Sequence, residues 1–339
     1  MRGRVRFAVA GPGWIGRVHA RAVRDSPDAE LVAALGSNRE RVETFAGEFD
    51  VPRSYTSPAE LGADPELDAV VIATPNHLHC PLANELMEAG KHVLVEKPMA
   101  LSPAEGRAMA GCARRHARRL LVGHMWRFDR EAQVLRAALA AGELGEIVKT
   151  KGYGIHAHWG PSGWFTDPAR AGGGALIDMG VHAIDTVRYL LGDPPARAVY
   201  AKLGTHFGEY AVDDHGILLI TWENGVESLV ECGWWNPHAD GPEASTQLFG
   251  TRGYARLFPT ELVRIVDRKP QPRPLELPAR EQHLDPHVFV GQIAELCAAI
   301  REEREPQPGP PHGIEVLRIC EAAYRSAREE RRVALEELA

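Results

Sequence analysis

Cysteine is scarce, and what there is does not pair. Of 339 residues only five are cysteine: Cys80, Cys112, Cys232, Cys297 and Cys320. The number is odd, none sits in a C-x-x-C, and all are far apart, so neither a disulfide framework nor a structural zinc site is expected. A reducing cytosol suits such a chain, and a cytoplasmic location is expected. Positive charge is not in excess either; the net charge is −7, which argues against nucleic-acid and anionic-membrane partners. One arginine group, Arg114, Arg115, Arg118 and Arg119, reads as a solvated helix face. No apolar run approaches the length of a membrane span. The basic start, through Arg6, leads into an apolar run that ends at Gly11, too short for a signal-peptide core. Internal repeats and low-complexity segments are absent.

What remains is an ordinary globular composition, 44% hydrophobic and 25% charged, long enough for two cores. The first 123 residues alternate short apolar runs with amphipathic segments. Val5 to Ala10, Leu31 to Leu35, Ala69 to Ala73, His92 to Val95 and Leu120 to Val122 read as strands. Arg17 to Asp25, Arg41 to Phe49, Pro81 to Ala89 and the stretch opened by Ser102-Pro103-Ala104-Glu105 read as helices. Such alternation predicts an α/β, doubly wound parallel sheet. Between the first strand and helix stands Gly11-Pro12-Gly13-Trp14-Ile15-Gly16. Strand, G-x-G-x-x-G, helix is the dinucleotide context: a tight turn at Gly11, backbone open to pyrophosphate at Gly13, close packing at Gly16. Trp14 and Ile15 lie within the same turn.

The end of the second strand bears on which dinucleotide is preferred. An NAD site usually places a carboxylate here for the ribose 2′-OH. This chain has Gly36-Ser37-Asn38-Arg39-Glu40-Arg41 instead. A hydroxyl, an amide and two arginines suit a 2′-phosphate, so the reading leans to NADP with NAD possible. Ser37, Asn38 and Arg41 are the candidates, with Arg39 a further one; singly, each arginine suits a solvated helix face as well. Thr74, Asn76 and His79 lie in the polar loop after the third strand and are candidate cofactor contacts. His92-Val93-Leu94-Val95-Glu96-Lys97-Pro98 is a buried strand ending in a charged pair, and the carboxyl ends of such strands are where ligands bind. Proline after Lys97 holds that residue extended.

From residue 124 onward the pattern changes. A helix over Asp129 to Ala141 is followed by strands in series: Glu146 to His156, Arg197 to His206, Ile217 to Trp222, Glu227 to Trp234, Ser245 to Phe249 and Leu262 to Val266. Glu223-Asn224-Gly225 is a hairpin signal. The series predicts an open, mostly antiparallel sheet with helices on one face, in an α+β domain spanning 124–339. Leu, Val and Trp on its other face predict a homo-oligomer. Lys269 to Pro278 reads as a proline-rich loop, and helices near Pro286 to Glu302 and Gly313 to Arg331 close the chain. Within this half, Gly172-Gly173-Gly174-Ala175-Leu176-Ile177-Asp178-Met179-Gly180-Val181-His182-Ala183-Ile184-Asp185 leads a helix to Leu191. Asp178 and His182, four apart, fall on one helix face. A carboxylate beside an imidazole suits a general base. The same pair suits a metal, but no third ligand stands at a telling spacing, so none is expected; His182 and Asp185 also suit capping or bridging a buried helix. His156, His158, Trp159, Trp234 and Trp235 fit a sugar pocket or the core equally well.

The G-x-G-x-x-G, the Glu96-Lys97-Pro98 and the Gly-Gly-Gly-x-Leu-x-Asp-x-Gly-x-His-x-x-Asp run, in this order, resemble the glucose–fructose oxidoreductase / inositol dehydrogenase / rhizopine-catabolism family of NAD(P)-dependent oxidoreductases. The likeness runs through the Gly250-Thr251-Arg252-Gly253 turn to the last helices. It implies a Rossmann domain over 1–123, an α+β substrate and oligomerisation domain, dimers or tetramers, and no metal. It implies hydride transfer between nicotinamide and a ring carbinol or ketone of a sugar or cyclitol, with Lys97, Asp178 and His182 catalytic and also touching substrate. His182 would take the hydroxyl proton, Asp178 would orient it, and Lys97 would steady the charge on oxygen. The likeness further implies a cis peptide before Pro98, Trp164 near the nicotinamide, Glu96 at the cofactor, and Arg127, of an Arg127-Phe128 pair, at the substrate. Gly36 departs from the family's Asp for NAD. Two other readings on this fold are an NAD-assisted glycoside hydrolase and a non-enzymatic NAD(P) sensor; the presence of both Lys97 and His182 argues against the sensor.

Overall fold

The computed structural model describes residues 3–277, 279 and 283–338. The chain divides into two compact units, Met1–Phe128 with Pro286–Ile314, and Asp129–Asp285 with Glu315–Ala339. The units are interleaved in sequence: a segment from far downstream returns to the first, which a single cut at 123/124 does not provide for.

The first unit is a six-stranded parallel sheet. Its strands are β1 (Val5–Ala10), β2 (Ala29–Leu35), β3 (Arg53–Tyr55), β4 (Ala69–Ile72), β5 (His92–Val95) and β6 (Leu120–Val122), in the order β3-β2-β1-β4-β5-β6. All neighbours run parallel. Every residue of β4 is buried, as expected of a strand covered on both faces. Helices α1 (Trp14–Asp25), α2 (Arg39–Glu48), α3 (Pro58–Gly62), α4 (His79–Glu88) and α5 (Pro103–Arg115) connect the strands. Asn38, Ser57 and Ser102 cap α2, α3 and α5, each accepting a backbone N–H three residues on. The strand order reverses at β1 and β4, and the carboxyl ends flanking that reversal lead into Gly11 and Thr74, the usual place for a dinucleotide. Edge strand β3 has no apolar alternation, so nothing in its three residues announces it.

Within this unit the returning helix α9 is His287–Glu302. The Phe289 ring stands edge-on to His19 of α1, with centroids 5.2 Å apart. Arg301 pairs with Asp28, and the Cys297 thiol donates to the Asp28 carbonyl.

The second unit is built on a nine-stranded sheet. After α6 (Arg130–Ala140) come β7 (Ile147–His156), β8 (Ala196–Gly204), β9 (His215–Trp222), β10 (Glu227–Trp234), β11 (Ala244–Gly250), β12 (Gly253–Leu257), β13 (Glu261–Val266), β14 (Lys269–Pro272) and β15 (Val333–Ala334). Their order is β14-β13-β12-β11-β7-β10-β9-β8-β15. Only the central β7–β10 pair is parallel; the others are antiparallel. The expected hairpin at Glu223-Asn224-Gly225 joins β9 to β10, with Trp222 N–H bonded to the Val226 carbonyl. One expectation fails: Lys269 to Pro272 is not loop but strand β14. Pro270 and Pro272 are tolerated there because the strand lies at the sheet's edge. Pro278, the end of that expected loop, lies outside the described residues.

Short α7 (Pro168–Ala171) precedes α8 (Val181–Leu190), which packs on β7, β10 and β11; the last long helix is α10 (Pro310–Glu329). Ile184 and Val187 of α8 meet Leu218, Ile220, Trp222 and Val230 of the sheet in one buried core. On the outward-facing side, Tyr200, Ile217 and Leu219 remain 39%, 40% and 46% exposed. Tyr200 pairs directly with Leu219 across β8 and β9, so these apolar side chains form one patch rather than scattered singles. Among the described residues no helix is long and apolar enough to cross a membrane.

Candidate functional site

In the first unit the glycines of the first turn do three different things. Gly11 has φ +105°, and a Cβ there would stand 2.3 Å from the Ala73 carbonyl oxygen. A Cβ on Gly16 would stand 1.9 Å from the Gly11 oxygen. Gly13 meets nothing within 4 Å and caps α1 without any side-chain hydrogen bond. The first turn of α1 thus offers open backbone N–H groups beside an unobstructed glycine, a fit for pyrophosphate. Trp14, at 70% exposed, projects from the same turn, with Ile15 next to it. The Thr74 hydroxyl, after β4, is buried without a hydrogen-bond partner. An orphaned donor at a sheet's carboxyl end fits a polar ligand there.

The candidates for the ribose end are not equivalent. Asn38 Oδ1 accepts the Arg41 N–H at 2.9 Å, so its side chain serves the helix. Arg39 turns to Thr56 Oγ1 and the Ser54 carbonyl. Ser37 and Arg41 are exposed. A Cβ on Gly36 would press on Pro12 at 3.0 Å, so the residue preceding Ser37 is small because the glycine turn lies against it.

Around Lys97 the support is dense. The peptide before Pro98 is cis, as the resemblance implied. Glu96 accepts from His19 Nε2 at 2.7 Å through Oε1, and from the Lys97 backbone N–H at 3.1 Å through Oε2. Burial alone would push the Glu96 carboxyl up. The His19 hydrogen bond, with the His19 and Lys97 charges, instead holds it below its ordinary value. Glu96 is therefore an ionised strut under Lys97. His79 spans the Pro98 carbonyl (2.8 Å from Nδ1) and the Thr74 carbonyl (2.9 Å from Nε2). Burial lowers its pKa; the neutral imidazole carries one N–H and so donates to one of these carbonyls at a time, with His79 lying between the two loops. Asn76 is buried in a short 3-10 turn, Asn76–Leu78, and Arg127 in another, Met125–Phe128.

In the second unit, Asp178 and His182 do not lie on one continuous α-helix. Leu176–Gly180 is a π turn that leads directly into α8, which begins at Val181. The wider turn changes the spacing that α-helical geometry assigns to the pair. Asp178 is held from the sheet: Trp234 Nε1 donates to its Oδ2 at 3.0 Å, and His156 Nε2 lies 3.8 Å from the same oxygen. Trp234 is wholly buried, a support rather than an exposed wall. Gly154 lets the turn approach, because a Cβ there would stand 2.5 Å from the Met179 carbonyl oxygen.

Asp213 anchors the glycine run ahead of this turn. It accepts the N–H groups of Gly174 and Leu176 at 2.9 and 2.8 Å and the Tyr324 hydroxyl at 2.7 Å. Nothing at sequence level singled it out; its signal is a carboxylate with no nearby cation at the end of a loop. Trp159 stacks on His156 with centroids 3.6 Å apart and donates to Glu243 at 2.7 Å. Glu243 also lies 3.1 Å from His156 Nδ1; its hydrogen bond to that ring, with the Trp159 one, holds its carboxyl below the usual value. Trp235 is exposed, and so is His158. Trp164 stacks on Phe165 in the 3-10 turn Gly163–Thr166.

Residues 5–124 match the oxidoreductase family with an NAD-binding Rossmann fold, and residues 132–256 match the GFO/IDH/MocA C-terminal domain. The 1,5-anhydro-D-fructose reductase of Ensifer adhaerens is 31% identical over 251 residues, 73% of this chain and 74% of that one. The inositol 2-dehydrogenase of Rhizobium meliloti is 27% identical over 348 residues, 98% and 99% of the two chains. A levoglucosan dehydrogenase solved with NADH superposes with a TM-score of 0.89 at 25% identity, covering 98% of this chain and 99% of its own.

Proposed function

This chain belongs to the GFO/IDH/MocA oxidoreductase family, and from that premise we propose that it moves hydride between a nicotinamide cofactor and a ring carbinol or ketone of a sugar, cyclitol or sugar derivative. The observation that carries the proposal is Lys97: it stands at the carboxyl end of β5, on the same sheet edge as the glycine turn, with its backbone fixed by the Glu96–His19 pair. The bound nicotinamide supplies the hydride acceptor or donor. Gly11, Gly13 and Gly16, with Trp14, Ile15, Thr74, Asn76 and Glu96, form or support its bed. Trp164 and Arg127 complete the proposed contacts, to cofactor and substrate respectively.

In the oxidation direction His182 takes the proton of the reacting hydroxyl. Asp178, itself oriented by Trp234, fixes the imidazole or a neighbouring hydroxyl. The Lys97 ammonium steadies negative charge on the reacting oxygen. Reduction runs the same groups in reverse.

For the cofactor, NADP is favoured over NAD. The support is the missing carboxylate after β2, together with exposed Ser37 and Arg41; a guanidinium and a hydroxyl suit a 2′-phosphate. Homo-oligomerisation through the outer face of the nine-stranded sheet is supported by the Tyr200, Ile217 and Leu219 patch. Five free, buried cysteines support a reducing, cytoplasmic setting. The test is a panel of sugars, inositols, keto-sugars and aryl glycosides with NADP and NAD. Substrate-dependent change in reduced-cofactor absorbance, without release of aglycone, is expected.

A further inference from the structure

Away from the dinucleotide turn, three different metal-ligating side chains meet where α4 and α5 end. Glu88 is the last residue of α4, and Cys112 and His116 stand four apart at the end of α5. One donor atom from each lies within 4.8 Å of the other two, and Cys112 Sγ is 4.0 Å from Glu88 Oε1. We propose that Glu88, Cys112 and His116 form a zinc site, with the fourth position open to water.

The donor set selects the metal. A thiolate favours a borderline-soft ion over magnesium or calcium, and imidazole and carboxylate are the other usual zinc ligands. Tetrahedral bonds of about 2.0–2.3 Å put ligand atoms about 3.3–3.8 Å apart. The three atoms therefore need to close by up to about 1.5 Å. Cys112 is buried while Glu88 and His116 are exposed, so the metal is anchored on one side and reached from the other. Glu88 and His116, the two surface side chains, are the ones that would move to close the site.

Two helix C-termini, each with the negative end of its dipole, converge here, but Arg114 and Arg115 stand in the last turn of α5, so the side-chain donors and not the surrounding field would hold the ion. Arg118 bridges the two helix ends, donating to the His116 carbonyl at 2.9 Å and to the Gly90 carbonyl at 3.0 Å. Coordination releases the Cys112 thiol proton to solvent as the Zn–S bond forms. The α4–α5 joint would gain a cross-link between residues 24 apart in sequence, a spacing that matches no short zinc motif.

Cobalt(II), a spectroscopic stand-in for zinc, tests the proposal on the full-length protein. One equivalent should bind with a thiolate-to-metal charge-transfer band and be displaced by Zn2+. Cys112→Ser should abolish the band, and His116→Gln and Glu88→Gln should each weaken Zn2+ binding at least tenfold. The last two are surface substitutions, so the test stands if Cys112→Ser folds poorly. None of the three residues has a part in the proposed hydride transfer, so turnover without added metal should be unchanged in the two surface variants. Absence of the band in the wild type, or equal Zn2+ affinity in wild type and both surface variants, would overturn the site.

Discussion

His19 Nε2 lies 2.7 Å from Glu96 Oε1, and both side chains are buried. This pair links the nucleotide-binding helix to the strand end that carries Lys97. His19→Leu leaves a buried carboxylate unpaired, at a cost of about 3–5 kcal/mol. Glu96 sits below its ordinary value in the folded protein. Its contribution is therefore present above the unfolded carboxylate pKa and is lost as pH falls through the lowered folded value. Urea unfolding should show the deficit of His19→Leu at neutral pH, shrinking as the medium is acidified. A deficit independent of pH would mean that the pair contributes packing alone.

Asp213 gives a second prediction. Its carboxylate holds two backbone N–H groups of the glycine run and the Tyr324 hydroxyl. Asp213→Ala should destabilise by about 2–4 kcal/mol, since each buried donor left unsatisfied costs about 1–3 kcal/mol. Tyr324→Phe removes one hydrogen bond and should cost about 1 kcal/mol. Asp213→Ala should also lower kcat, by disturbing the turn that carries Asp178; Tyr324→Phe should leave kcat near wild type. Chemical denaturation and steady-state kinetics on both variants check this.

Cofactor choice is tested at Arg41. Arg41→Ala should lower kcat/KM with NADP about tenfold, equivalent to about 1.4 kcal/mol for a charge-assisted contact to phosphate. The value with NAD should barely move. Equal effects on both cofactors, or an initial preference for NAD, would remove Ser37 and Arg41 from the ribose end.

The outer sheet face is tested by Leu219→Arg, which sets a charge in the middle of the Tyr200–Ile217–Leu219 patch. Light scattering should show the wild type as a dimer or tetramer and the variant shifted toward monomer, with the fold retained by circular dichroism. A monomeric wild type would leave the patch without that partner.

Much of this was legible in the sequence, for identifiable reasons. β4 and β5 are continuous apolar runs and β9 and β10 flank an Asn-Gly turn, so period and turn chemistry announced them. β3, β12, β14 and β15 were not seen. They are two to five residues long, and β14 carries two prolines, so tertiary pairing alone makes them strands. The glycine turn was readable because Gly11 and Gly16 meet main-chain atoms a Cβ would strike. The π turn under Asp178 was not, because a four-residue spacing reads as α-helix whatever the local winding. Supporting residues such as His19, Asp213 and Glu243 were invisible for another reason: each acts on partners 37 to 111 residues away in the chain.

The central claim is that Lys97 and His182 act together with a nicotinamide on one carbinol. The most direct measurement is single-turnover cofactor reduction with a sugar or cyclitol found active in the panel, for wild type, Lys97→Ala and His182→Gln. Removing a charge-stabilising or proton-transferring group typically costs about 10²–10⁴ in rate. The account predicts losses of that size in both variants, with cofactor affinity within about threefold of wild type by fluorescence titration. Wild-type rates in either variant would contradict it.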